Sequence, residues 1–145
     1  AASDNRISTD AISFTAGNAI TNMWPHIERK PVLEKFQIVM KLAGYKPFNK
    51  GDRHHQNAAL LVRLRNALIH YKPEWSDKLE EHLQIEKQLR NRFALNPFSE
   101  EWDLFFPKKC LGHGCAKWAA SAAIDFINEF YTRIGVSEFL IRGKK

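Results

Sequence analysis

An all-α fold, a single-domain helical bundle of about five helices, is the architecture this sequence predicts, and three observations carry it. Apolar residues recur at three- and four-residue spacing through five stretches of the chain. Turn and cap residues separate those stretches, and no run alternates apolar and polar residues as a half-buried strand would. A chain of 145 residues is one domain by the usual size relation and can bury a core without disulfides or metal. Residues 1 to 8 and 136 to 145 are expected to form less ordered tails.

The first helix is expected from Thr9, where Ile12, Ala16, Ala19, Ile20 and Met23 keep helical spacing. Ser8 or Thr9 can cap it and Asp10 suits its first turn. Pro25 biases Trp24 away from helical geometry, so the element is expected to end or kink there. A second helix opens with Pro31 as its first residue and places Val32, Phe36, Val39, Met40 and Ala43 on one face, with Gly44 just past its end. Pro47, Asn49 and Gly51 then mark a connector, and Asp52 is positioned to cap the next helix, with His54 and His55 in its first turn.

That third helix, from about Asp52 to Tyr71, carries the strongest pattern in the chain. At about 100° per residue, Leu60, Leu61, Leu64 and Leu68 fall on a core face. Arg63, Asn66 and His70 follow i, i+3, i+7 spacing and form a polar stripe facing away from the leucines. Val62, Arg65 and Ile69 flank that stripe, so the second face is partly apolar and suits another chain better than bulk solvent. A homodimer with this helix near its two-fold axis is expected.

A fourth helix is expected from Ser76 to about Phe93, with Leu79, Leu83, Leu89 and Phe93 on one side and Glu86 and Arg90 paired at i, i+4. His82 falls on its apolar side, the position of a bonded histidine at the core edge. Asn96-Pro97 breaks the pattern, and Ser99-Glu100-Glu101-Trp102 can open one short turn before Phe105-Phe106-Pro107, a connector with aromatic anchors. The last helix runs from about Cys115 to Ile134, with Ala119, Ala122, Ala123, Phe126 and Phe130 on one face and Gly135 closing it.

Charge is concentrated. The segment from Lys41 to Lys72 holds seven basic residues against Asp52 alone, which accounts for the whole net charge of +6. Lys46, Lys50, Arg53, Arg63 and Lys72 are therefore the candidate residues for an anionic ligand, phosphate first, in a footprint that overlaps the third helix. No apolar run approaches the length of a membrane span. No charged-then-apolar leader opens the chain, whose first residue is Ala1, so processing or an artificial boundary, rather than a signal peptide, and a cytoplasmic location are expected.

Cys110 and Cys115 are too few and too close in sequence for a secreted disulfide framework, and reduced thiols are expected. Cys110-x2-His113-x-Cys115 offers three zinc ligands where a structural site wants four. No metal or cofactor is expected. A phosphate-binding glycine loop, a serine or cysteine nucleophile with a matched histidine, and a carboxylate cluster for magnesium are all missing from the sequence, which argues against nucleotide hydrolysis and two-metal nuclease chemistry.

The run Arg65-Asn66-Ala67-Leu68-Ile69-His70 resembles the R-x4-6-H signature of the HEPN superfamily, helical and often dimeric proteins, many of them metal-independent ribonucleases. The resemblance covers some twenty residues and implies a catalytic set of Arg65, Asn66 and His70. It implies endonucleolytic cleavage of single-stranded RNA, in which the substrate's own 2′-hydroxyl is the nucleophile. A toxin or defence role is one form this takes, with an antitoxin partner that masks the motif or modifies a neighbour such as Tyr71. A non-catalytic helical module that binds a protein or nucleic acid is the alternative. Arg65 and His70 lie about 140° apart around an ideal helix, so either the arginine curls back or two motif helices face one another across a dimer.

Overall fold

In a computed structural model that describes residues 14 to 71 and 79 to 136, the protein is all-α. Its helices are α1 (Phe14–Ile27), α2 (Val32–Leu42), α3 (Arg53–Ile69), α4 (Leu79–Leu89) and α5 (His113–Arg133), with a π-type turn at Phe105–Lys109. No strand occurs among the described residues. The expected first-helix start at Thr9, the tails apart from Val136, Lys72 and the expected helix start at Ser76 lie outside them.

The chain divides into two compact units, one built from residues up to His55 together with those from Phe126 onward, the other from Gln56 to Asp125. In the first, α1 packs on α2. Of the end or kink expected at Trp24, the end does not occur: α1 runs through Pro25 to Ile27. Proline there falls in the last turn, where it forfeits a single backbone bond, and the Glu28 amide still donates to the Trp24 carbonyl (2.8 Å). Pro31 precedes α2 as its N-cap rather than opening it. The helix ends as Gly44 predicts: with φ at +79° it lets the Gly44 amide reach the Lys41 carbonyl and the Tyr45 amide reach that of Met40, which satisfies two otherwise orphaned acceptors.

Phenylalanines dominate this unit's core. Phe36 meets Phe126 and Phe130 edge-on at 5.1 and 4.9 Å, while Phe48 stacks on Phe126, geometries that suit the ring quadrupoles. The connector before α3 is tied to α2 by a two-point clamp: Gln37 Nε2 donates to the Phe48 carbonyl and the Phe48 amide donates to Gln37 Oε1. Arg133 lies 4.3 Å over the Phe48 ring and donates to Asp52 Oδ2 at 2.8 Å. That hydrogen bond holds the Asp52 carboxyl below its ordinary 3.8. Asp52 Oδ2 also accepts from the Asn49 amide, so its bonds tie down the connector before α3.

In the second unit Leu60 and Leu64 of α3 close on Ile85 and Leu89 of α4, on Phe105 and Phe106, and on both cysteines. Burial at this cluster is what orients α3. The fourth helix departs from expectation at its far end, stopping at Leu89 instead of Phe93. Asn91 takes a left-handed conformation (φ +67°), which only glycine and a few short polar residues adopt readily, and the chain leaves the helix there. Phe93 instead packs beside Trp118. Leu83, expected in the core, is exposed, and the buried face of α4 is the His82, Ile85, Leu89 line.

In α5 the buried line is Cys115, Ala122, Phe126 and Phe130, continued by Ile134 just past its end, whereas Ala123 is exposed. The connector between α4 and α5 is anchored by buried Phe105 and Phe106, but Trp102, expected among the anchors, is 80% exposed. Hydrogen bonds hold this connector in place: Asn96 donates from its amide to the Lys109 carbonyl, and Lys108 Nζ donates to Asp103 Oδ1. With Leu104 extended and Phe106 at φ −109° and ψ 129°, the backbone around this turn is too irregular to continue a helix.

Candidate functional site

The third helix delivers its polar stripe as spacing requires. Arg63, Asn66 and His70 all line one groove of about 530 Å³, whose floor includes Ala59, Val62 and Ala67 and whose opposite wall is α4 with Glu81, His82, Gln84 and Ile85. Of the four leucines expected on the core face, Leu60 and Leu64 are buried and Leu61 half-buried, but Leu68 is exposed because it lines an open groove near the end of the helix. Opposed faces of one helix thus do two jobs, anchoring it and presenting a polar row.

Hydrogen bonds fix parts of this groove. Arg63 Nη1 donates to Gln88 Oε1 on α4 at 2.6 Å, tying the two walls together. Nearby, Arg92, just past the end of α4, donates from Nη1 to Asn57 Oδ1 of α3. His70 sits one residue beyond the end of α3, where its amide donates to the Asn66 carbonyl at 3.0 Å and its side chain is exposed. Backbone geometry is therefore still helical where the imidazole emerges.

Arg65 stands elsewhere. It lines a separate groove of about 350 Å³ with Leu61, Leu64, Leu68, Ile69 and, from α5, Ala119. Its guanidinium nonetheless curls back, donating from Nη1 to Asn66 Oδ1 at 3.0 Å. Within one chain, then, Arg63 is the arginine that shares a groove with His70, and Arg65 is linked to that groove through Asn66. The walls of the second groove are apolar, with Leu68 39% and Ile69 55% exposed.

Sequence spacing underrated the contribution of α4. His82 is half-buried, as a core-edge histidine should be, and stacks nearly parallel on Tyr71 at 5.8 Å with Phe106 at 5.0 Å on its other contact. It also lines the His70 groove. The bonded histidine expected there is held instead by ring contacts, with no hydrogen bond to its imidazole among the described residues, and periodicity could not reveal that His82 borders the groove, because that depends on how α4 meets α3.

Of the other candidate residues, Lys46 lines a shallow groove in the first unit with Pro47, Asn49, Asp52 and Arg133, and Lys50 and Arg53 are exposed in the same unit. His54 and His55 lie in the first turn of α3, where His54 Nε2 approaches Glu129 at 3.9 Å and His55 lies beside Phe48. Cys110 and Cys115 are buried free thiols with their sulfurs 4.0 Å apart. Their mutual hydrogen bond, with burial, raises the Cys110 thiol. His113 is exposed as the first residue of α5, so Cys110, His113 and Cys115 do not converge, and no three histidine, cysteine or acidic side chains among the described residues do. No helix among the described residues is long and apolar enough to cross a membrane. The chain matches no protein-family model, no curated protein and no solved structure.

Proposed function

We propose that the protein is a metal-independent endoribonuclease of HEPN type that cleaves single-stranded RNA through attack of the 2′-hydroxyl, acting in the cytoplasm as a homodimer. The observation that carries this reading is the shared groove of Arg63, Asn66 and His70, with Arg65 hydrogen-bonded to Asn66 at its edge. Such a reaction needs a proton acceptor or donor, a fixed cation and an orienting group. Imidazole exchanges protons near neutral pH, a guanidinium binds phosphate oxygens with two donors, and the Asn66 amide can orient either. Incubation of the purified protein with single-stranded RNA in excess chelator tests the proposal. Fragments ending in a 2′,3′-cyclic phosphate support it, and cleavage that requires metal or attacks DNA equally well rules it out.

The homodimer is argued from the second groove. Its apolar wall, with Leu68 and Ile69 exposed on the last turn of α3, is suited to the same surface of a second copy. Ile69→Asp should convert a dimer to a monomer in light scattering; a wild-type protein that is already monomeric removes the composite-site form of the argument. An antitoxin that covers α3 or modifies Tyr71 would act on the same surface, since Tyr71 stacks on the groove residue His82.

RNA binding should depend on Lys46, Lys50 and Arg53, with Arg63 and Lys72 contributing, because the segment that holds them carries the entire net charge. Affinity should fall steeply with salt as counterions are released. Reversing Lys46, Lys50 and Arg53 together should weaken binding and flatten the salt dependence; an unchanged affinity and slope would put the footprint elsewhere. A non-catalytic binding module is the second reading, favoured by the place of Arg65 outside the His70 groove of its own chain.

A further inference from the structure

We propose that His82 is a second proton-transfer residue of the groove, working with His70 on opposite sides of the reacting phosphate. The inference rests on the ribonuclease reading and adds to it a residue that lies outside the Arg65 to His70 run. Cleavage by the 2′-hydroxyl moves two protons. One leaves the 2′-oxygen as it bonds to phosphorus, and one must reach the 5′-oxygen as the P–O5′ bond breaks. A neutral imidazole takes the first and an imidazolium supplies the second, so charge balances and the two rings finish with their protonation states exchanged. Neither a metal nor an external reductant or oxidant enters.

His70 alone fills one of these roles. The structure offers His82 for the other, on three observations. Both imidazoles line the same groove, one from the end of α3 and the other from the facing α4. Tyr71, the residue next to His70 in the chain, stacks on the His82 ring at 5.8 Å and 16°, which brings the second imidazole close to the end of the motif helix. Phe106, buried in the core, lies 5.0 Å from the same ring, and Tyr71 and Phe106 are themselves 5.8 Å apart. Aromatic contacts restrict the plane of His82 without consuming its ring nitrogens, a preorganisation that suits a proton-transfer group. Arg63 and Asn66 line the same groove and carry the donors that a phosphate needs.

The test uses two substrates, single-stranded RNA and uridine 3′-(4-nitrophenyl phosphate), whose leaving group departs without a proton. His82→Phe keeps the aromatic stack and removes both nitrogens; His82→Gln serves as a second variant, and both are compared with wild type by thermal melting. Each should cleave RNA about a hundredfold more slowly than wild type. Between His70→Ala and His82→Phe, one should recover to near the wild-type rate on the nitrophenyl ester and the other should not, which also identifies the acid. His82 variants that cut RNA at the wild-type rate, or folded His70 and His82 variants impaired equally on both substrates, overturn the assignment while leaving the ribonuclease reading in place. Wild-type protein inert toward both substrates overturns the reading itself.

Discussion

His70→Ala is expected to lower the rate of RNA cleavage in excess chelator by about a hundredfold or more without loss of fold. The imidazole is exposed at the end of α3, and the contact that shapes the backbone there, the His70 amide to the Asn66 carbonyl, does not involve the side chain. Removing the ring therefore removes proton transfer and little else. Arg65→Ala should cost a similar factor through lost charge stabilisation at the phosphate, while Asn66→Ala should cost less because water can replace an orienting amide.

The placement of the two arginines makes this series more informative than the motif alone. Arg63 shares the His70 groove and Arg65 lines the apolar one. If the reacting groups converge across a dimer, mixing inactive His70→Ala with inactive Arg65→Ala should restore activity, since one mixed site then contains both intact residues. Failure of the mixture to recover, together with a larger loss in Arg63→Ala than in Arg65→Ala, would make Arg63 the catalytic cation and confine the site to a single chain. Retention of full activity by His70→Ala would leave the binding-module reading in front.

The second large effect is on stability. Gly114→Ala should destabilise the protein by about 3 kcal/mol, at the upper end of overpacking penalties, with a fall in Tm of about 10 °C. A Cβ at Gly114 would stand 2.2 Å from the Ala94 carbonyl oxygen and 3.0 Å from the Ala94 amide nitrogen. Both are backbone atoms, and the connector they belong to is pinned by the Asn96 amide donating to the Lys109 carbonyl, so the strain has no flexible side chain to relax into. Gly17→Ala is the matched control: nothing lies within 4 Å of its added Cβ, and alanine in a helix interior is favoured by about 1 kcal/mol. Equal melting of Gly114→Ala and wild type would show that the connector does not approach α5 as described.

Residue spacing was enough to give the all-α class, the Gly44 stop of α2, the burial of Leu60 and Leu64 and the row of Arg63, Asn66 and His70. All of these follow from interactions within a turn or two of the chain, where residue spacing converts directly into geometry. Local signals misled where a competing term won: Pro25 stands in the last turn of α1, where a lost backbone bond costs little, and Asn91 ends α4 by adopting a left-handed conformation before Phe93. Packing between helices settles that His82 faces the His70 groove, that Arg65 lines a different one, that Leu83 is exposed while Ile85 is buried, and that the cysteine sulfurs meet. Those outcomes depend on how one helix is rotated against another, and that rotation is set by burial summed over Leu60, Leu64, Ile85, Leu89, Phe105 and Phe106 together, residues whose partners lie far away in sequence.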